Sequence, residues 1–242
     1  MVQAFCIANQ KGGVGKTTTA ISLADAFAKA GGRTLLVDLD PQCNATCGLD
    51  AALANAHPLV VGTPLADSVV RTRTENLDLL PGSRKFADVE VLTRTDQRQN
   101  QRMRDQLSRE LNGYDFVLFD CPPSLGSLTQ IALSVSTAIW IPIQCEFFAM
   151  QGFTQMVEAT TQEKLELGGV LLTMYDASLE LTFEVESEVR DFCGEIVFNT
   201  VIPRDVAFSE AASRGWSILD YAPRSHGARA YTELCMEVLE RG

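Results

Sequence analysis

Three glycines, a lysine and a threonine stand together at Gly12-Gly13-Val14-Gly15-Lys16-Thr17, after an apolar run and before a stretch of helical period. Glycines let a backbone take conformations closed to other residues, so successive N–H groups can converge on phosphate oxygens. A helix starting near Lys16 adds the positive end of its dipole. Lys16 then offers a point charge to β- and γ-phosphates, and Thr17 a hydroxyl to Mg²⁺. Strand, glycine loop and helix in this order predict a nucleotide phosphate site spanning Gly12 to Thr18.

The loop departs from the usual G-x-x-x-x-G-K-[ST] pattern: Gln10 stands where the first glycine is expected, and a second lysine, Lys11, follows it. One nucleotide in one subunit is already matched by Lys16. We therefore read Lys11 as reaching a phosphate bound by a partner subunit, with plain solvated charge as the alternative. Three carboxylates stand where apolar runs end. Asp38 and Asp40 close one run and are read as pointing to opposite sides of the pleat, so that only one readily faces the γ-phosphate. Asp120 closes another, at the carboxyl edge of a sheet where open α/β folds bind ligands, and suits a Mg²⁺-linked acid. Stiff Pro122-Pro123 and flexible Gly126 after it suit a switch that senses the γ-phosphate.

Such residues need a scaffold. Strand candidates are Ala4–Ala8, Thr34–Val37, Leu77–Leu80, Phe116–Phe119, Ala138–Ile143, Val170–Thr173 and Ile196–Ile202. Helix candidates are Lys16–Lys29, Asp96–Leu111, Ser127–Ser134, Phe148–Leu165, Leu181–Phe192 and Ala228–Leu239. Several strands are apolar on both faces, and Gly31-Gly32 closes the first helix. The alternation predicts one α/β domain over residues 1–242: a doubly wound, mostly parallel sheet of seven or eight strands with helices on both faces. Residues 81–96 carry little periodicity.

Of the 242 residues 46% are hydrophobic and 21% charged, which excludes disorder for the bulk of the chain. Apolar runs such as Ala138–Ile143 are too short to cross a bilayer, and the first residues lack the basic region of a secretory signal, so a cytoplasmic protein is expected. Seven scattered cysteines predict neither disulfides nor zinc; the close pair Cys43 and Cys47 has no second pair, with only His57 and His226 as histidines. The net charge of −11 is unevenly spread. Residues 71–109 hold nine basic groups against six acidic, and residues 110–242 seven against twenty. So negative a field repels nucleic acid, and any contact with it needs a local patch.

Lys11-Gly-Gly-Val-Gly-Lys-Thr resembles the deviant Walker A motif of the ParA/MinD group of P-loop ATPases. Leu36-Val-Asp-Leu-Asp-Pro-Gln-Cys-Asn-Ala-Thr46 is similar to their second motif, and Tyr114-Asp-Phe-Val-Leu-Phe-Asp-Cys-Pro-Pro-Ser-Leu-Gly126 to their Walker B strand and switch. Ile141-Pro-Ile-Gln-Cys-Glu-Phe-Phe-Ala149 and Thr200-Val-Ile-Pro-Arg-Asp-Val206 single out the ParA/Soj branch. The resemblance runs from Ala4 to about Glu240. It implies a Mg²⁺-dependent ATPase that sandwiches ATP between two subunits of a homodimer. It assigns Asp40 to orienting the attacking water, Asp38 and Asp120 with Thr17 to the metal, and Pro203 and Arg204 to the adenine.

The family binds DNA without sequence preference and is released by a ParB-like activator. Here the family's arginine positions hold Ser178 and Ala207, and the helix between them is acidic. Arg190, Arg214, Arg224 and Arg229 remain as DNA candidates, with Arg98, Arg102 and Arg109 on one face of the middle helix, so weak, salt-sensitive DNA binding is expected. With ten residues before the loop, operator-specific autorepression is not expected, and the acidic last helix does not suit membrane attachment. A ParA-like protein acting on a protein track, and a small-molecule ligase on the same fold, are the alternatives. Lys11 and the Pro203-Arg204 stretch speak against the ligase.

Overall fold

The computed structural model describes residues 2–86, 97–147, 153, 156–157, 161 and 166–241. Among them, seven strands form one sheet: β1 Gln3–Ile7, β2 Thr34–Asp38, β3 Val70–Arg71, β4 Leu77–Leu80, β5 Phe116–Asp120, β6 Ala138–Gln144 and β7 Glu166–Thr173. Their order is β3-β4-β2-β5-β1-β6-β7, parallel throughout except for the antiparallel edge pair β3 and β4. Side chains alternate between two cores. Ala4 and Cys6 of β1 point into one, Phe5 and Ile7 into the other. This two-sided burial is why the strands read as unbroken apolar runs.

On the first face lie α3 (Pro58–Val61), α4 (Gln97–Glu110), α5 (Ser127–Val135) and α6 (Glu180–Cys193), contributing Leu59, Met103, Leu107, Ile131, Val185 and Val189 to the core. The opposite face carries α1 (Lys16–Lys29), α7 (Ala207–Ser213), α8 (Ile218–Tyr221) and α9 (His226–Arg241). Short α2 (Asn44–Gly48) follows β2. The sequence places α1 to the residue. Its end is closed by Gly31 at φ 96°, with Gly31 N–H donating to Ala28 O at 2.9 Å and Gly32 N–H to Phe27 O at 3.1 Å. That left-handed turn is nearly strain-free only for glycine.

Two expectations change. The Ile196–Ile202 run is not an eighth strand. It forms no continuous ladder with β7: the bridges are Val170↔Val197 and, beyond both segments, Tyr175↔Pro203. Phe198 N–H still reaches Val170 O and Ile202 N–H reaches Leu172 O, so the segment spends four residues where β7 spends two. The surplus loops out, and Asn199 and Thr200 donate their N–H groups to the Glu237 carboxylate of α9 at 2.7 and 2.9 Å. A carboxylate thus replaces the missing ladder acceptors. Conversely, β3 and the short helices α2, α3, α7 and α8 were not expected, being too brief to show a period. Most of the Phe148–Leu165 helix candidate lies outside the described residues.

His57 caps α3, its Nδ1 accepting from Leu59 N–H at 3.2 Å, and its ring packs 4.3 Å from that of Phe86. Burial pushes its pKa down to about 3. In the unfolded chain it titrates near 6.5, so as pH falls below that value the unfolded state takes up a proton that the folded state refuses. Stability should fall by about 1.4 kcal/mol per pH unit, or about 2 kcal/mol by pH 5. His57→Asn keeps a capping acceptor but cannot titrate. Urea melts of both proteins between pH 7.5 and pH 5 should show the difference in stability between wild type and variant shrinking by that amount towards acid; parallel losses would place the acid sensitivity elsewhere.

Candidate functional site

The glycine loop joins the carboxyl end of β1 to the amino end of α1. Gly13 and Gly15 hold φ of 76° and 91°, and Gly15 is the residue from which α1 starts. The loop is tied from three sides. Asn9 donates its side-chain amide to Pro142 O at 2.7 Å and accepts from Lys11 N–H at 3.0 Å. Thr173, the last residue of β7, donates its hydroxyl to Val14 O at 2.9 Å. β6 pairs with β1 only from Ala138 to Trp140, so Pro142 lies beyond that ladder, where its missing N–H breaks no bond to β1.

Lys16 is buried and donates its ammonium to Lys11 O at 2.9 Å. Burial lowers its pKa, while Asp120 and Asp40 pull the other way. Parallel pairing sets Asp38 beside Asp120, and Asp120 beside Ile7 of β1, so the carboxylates and the loop share the carboxyl edge of the sheet. Asp38 Oδ2 accepts from Thr46 N–H at 2.8 Å and from its hydroxyl at 2.6 Å, and Oδ1 from Asp40 N–H at 3.2 Å. Burial nevertheless raises its pKa to about 6, against the lowering by those Thr46 bonds. Asp40 is also buried and accepts from Gln42 N–H at 2.8 Å.

The expectation that Asp38 and Asp40 face opposite sides does not hold. Residues two apart share a face of a strand, and β2 ends at Asp38, so the turn after it, not the pleat, aims Asp40. Both lie near enough to Asp120 to raise its pKa by repulsion.

Asp120 is fully buried, and neither of its carboxylate oxygens has a formed hydrogen bond among the described residues. Burial first, then the Asp38 charge, hold its pKa well above the carboxylate range, against the opposing pulls of the Thr17 hydroxyl and Lys16. An orphaned buried carboxylate beside a hydroxyl and a phosphate loop is a donor set suited to Mg²⁺. Among the described residues no group of three or more His, Cys, Asp or Glu is arranged to hold a metal by itself. A cation held by one acid, one hydroxyl and nucleotide oxygens needs none. Cys121, next to Asp120, has its Sγ 3.5 Å from that of Cys6, a contact that raises its pKa.

Lys11 does not point freely from the rim. Its ammonium is ion-paired with Glu146, beyond the end of β6, both side chains being partly exposed. Glu146 as a partner is not legible in the sequence, although the residue falls within the Ile141–Ala149 motif. Pro203 and Arg204 lie further along the edge, with Arg204 N–H donating to Tyr175 O at 3.0 Å. They do not line the cavity of about 350 Å³ beside Thr17 and Thr18, whose walls include Cys47, Phe208 and Trp216. Nothing in the local sequence pattern singles out that wall. Of the DNA candidates, Arg190 is engaged by Glu186 at 2.8 Å, whereas Arg214, Arg224 and Arg229 are exposed. Arg98, Arg102 and Arg109 are exposed on α4. No helix among the described residues is long and apolar enough to cross a membrane.

Residues 2–168 match the family model described as AAA domain. The chain is 41% identical to the Chromosome partitioning protein ParA of Caulobacter vibrioides, covering 99% of this chain and 95% of that protein. It is 41% identical to the Sporulation initiation inhibitor protein Soj of Bacillus subtilis over the full length of both. Among solved structures, cobyrinic acid a,c-diamide synthase from Mycobacterium smegmatis with bound ADP and magnesium superimposes with a TM-score of 0.85 at 31% identity, covering 100% of this chain and 95% of that one. The septum site-determining protein MinD of Pyrococcus horikoshii, complexed with Mg-ADP, does so at 0.79 and 26% identity, covering 98% and 96%. By fold, loop and full-length identity, the chain belongs to the ParA/Soj family of P-loop ATPases.

Proposed function

We propose that this ATPase works as a dimerising switch in chromosome or plasmid partition, in which two copies close face to face over their nucleotides. In this reading the backbone of Gly12–Thr18 and the Lys16 ammonium hold the phosphates, and Pro203 and Arg204 flank the base. Thr17 and Asp120, with Asp38 behind them, would hold Mg²⁺, which when bound neutralises charge on the β- and γ-oxygens. Asp40 accepts a hydrogen bond from the attacking water and aims it at the γ-phosphorus. Buried beside Lys16, it is fixed before the substrate arrives. Lys11 leaves Glu146 and pairs with the phosphates held by the other subunit. ParB-like stimulation then ends the dimeric state, which engages DNA.

The observation that carries this reading is the rim of the loop. Phe147 and Val206 are 76% and 77% exposed, and Leu179 and Phe183 are about half exposed. All four lie on segments leaving the carboxyl edge, Phe147 directly after Glu146, the ion-pair partner of Lys11. Large exposed apolar side chains on the edge that carries a charge one subunit does not need favour an association surface there. The partition relatives, about 40% identical over their whole length, favour this switch over the protein-track and ligase alternatives.

Lys11→Ala should still bind one nucleotide per chain, through Lys16 and the loop, yet fail to dimerise. Light scattering with a non-hydrolysable ATP analogue should give a dimer for the wild type and a monomer for the variant. An undiminished dimer would reduce Lys11 to surface charge.

A further inference from the structure

We propose that Arg33, Arg71, Arg73 and Arg214 form one band that binds the phosphate backbone of duplex DNA. The inference rests on the DNA-linked switch above and names its surface, which keeps Arg214 of the sequence candidates and adds Arg33, Arg71 and Arg73.

The β3–β4 hairpin assembles the band. Antiparallel pairing of Val70 with Leu79 and of Arg71 with Asp78 folds the hairpin back, and its turn is held by hydrogen bonds from the Thr74 hydroxyl to Asp25 of α1 and, at 3.3 Å, to Asp220 of α8. This brings the middle, arginine-rich part of the chain against the segment that follows α7. The Arg73 guanidinium lies 5.3 Å from the centre of the Trp216 ring, two residues beyond Arg214. On its other side the hairpin shares a cleft of about 570 Å³ with Arg33, Gly113 and Tyr114. Residues far apart in sequence thus lie along one ridge.

The charges on this ridge are available. Arg71 and Arg214 are exposed and make no ion pair among the described residues. Arg33 meets Asp115 at 3.9 Å and Arg73 meets Asp50 at 3.6 Å, all four side chains more than half exposed. Exposed pairs of that length contribute little, and a phosphate that accepts two parallel N–H bonds can displace them. Of the nearby acids, Asp220 is paired with Lys29 at 2.8 Å, while Asp78, opposite Arg71 on the hairpin, accepts from the Tyr114 hydroxyl at 3.0 Å and keeps its charge. Glu75 is the remaining acid at the turn. Arg33, Asn76 and Tyr114 each stand just before a parallel strand begins, so this cleft opens at the amino edge of the sheet. Nucleotide sits at the carboxyl edge, and both can be bound at once. A local ridge also answers the net charge of −11, since only the nearest charges act through physiological salt.

The test is a salt series of fluorescence anisotropy titrations with a random-sequence duplex, on the full chain loaded with a non-hydrolysable ATP analogue. Arg71→Ala combined with Arg73→Ala should flatten the slope of log affinity against log salt by at least about 2, and weaken binding tenfold or more at low salt. Arg71→Ala alone, which breaks no ion pair among the described residues, should flatten it by about 1. Basal ATP turnover and analogue-driven dimerisation should stay unchanged. Unaltered slopes in both variants, with Arg224→Ala and Arg229→Ala lowering them instead, would overturn the band while leaving the switch intact. A wild type that dimerises on ATP but binds no duplex at any salt would defeat the DNA-linked reading itself. Equal binding of polyglutamate, lost in the same variants, would reassign the ridge to an acidic protein.

Discussion

Asp40→Ala should lower ATP turnover by at least about 100-fold while leaving nucleotide binding close to that of the wild type. The side chain is buried beside Lys16 and is held by Gln42 N–H, so it is orientated before any substrate arrives. Its loss removes the acceptor that aims water but none of the groups that hold phosphate, because the loop backbone, Lys16 and Thr17 remain. The γ-phosphate then persists, and the ATP-bound dimer should accumulate. Single-turnover hydrolysis, read beside light scattering, separates the effects: a stable dimer with turnover nearly abolished is expected. Wild-type turnover would give the water to another residue, Asp38 being the nearest alternative carboxylate in sequence.

Lys16→Ala should act earlier, weakening ATP and ADP binding alike by about 100-fold or more, the scale of removing one partner of a desolvated charge pair. Its ammonium already lies within the loop, bonded to Lys11 O at 2.9 Å, and burial lowers its pKa. A charge so poorly hydrated gives up little water when a phosphate arrives. Removing it also takes away a cation that acts on both Asp120 and Asp40, so the unliganded variant must be melted alongside to establish that it folds. Calorimetric titration should show no measurable heat with either nucleotide in a folded variant. Affinities within threefold of wild type would mean that the backbone and the helix dipole suffice.

The contrast between these lysines shows what the sequence made legible. Lys16 could be placed because everything around it is local: a strand end, three glycines and the first turn of α1. Asp38 and Asp120 were legible for the same reason, each closing an apolar run. Lys11's partner was not, since Glu146 reaches it through the ordering of β1 beside β6, which no local pattern encodes. Ile196–Ile202 failed similarly. Val197, Phe198 and Ile202 are as buried as strand residues, but the Glu237 carboxylate that diverts the backbone between them is supplied by α9. The arginines of the DNA candidates could be counted, yet the ridge that unites Arg73 with Arg214 depends on a two-residue edge strand, too short to leave a period.

The two tryptophans occupy opposite physical environments. Trp140 is sealed in the sheet, stacked 3.9 Å from the ring of Phe5 and shared between helix-covered strands. Trp216 is 40% exposed, lies under the Arg73 guanidinium, and lines the cavity that reaches Thr17 and Thr18. The protein therefore carries its own optical pair: a short-wavelength emitter that stays constant, and a long-wavelength emitter open to collisional quenchers. Changes at the mouth of the Thr17–Thr18 cavity or along the arginine ridge should appear mainly in the red part of the emission, so occupancy there can be followed without attaching a dye.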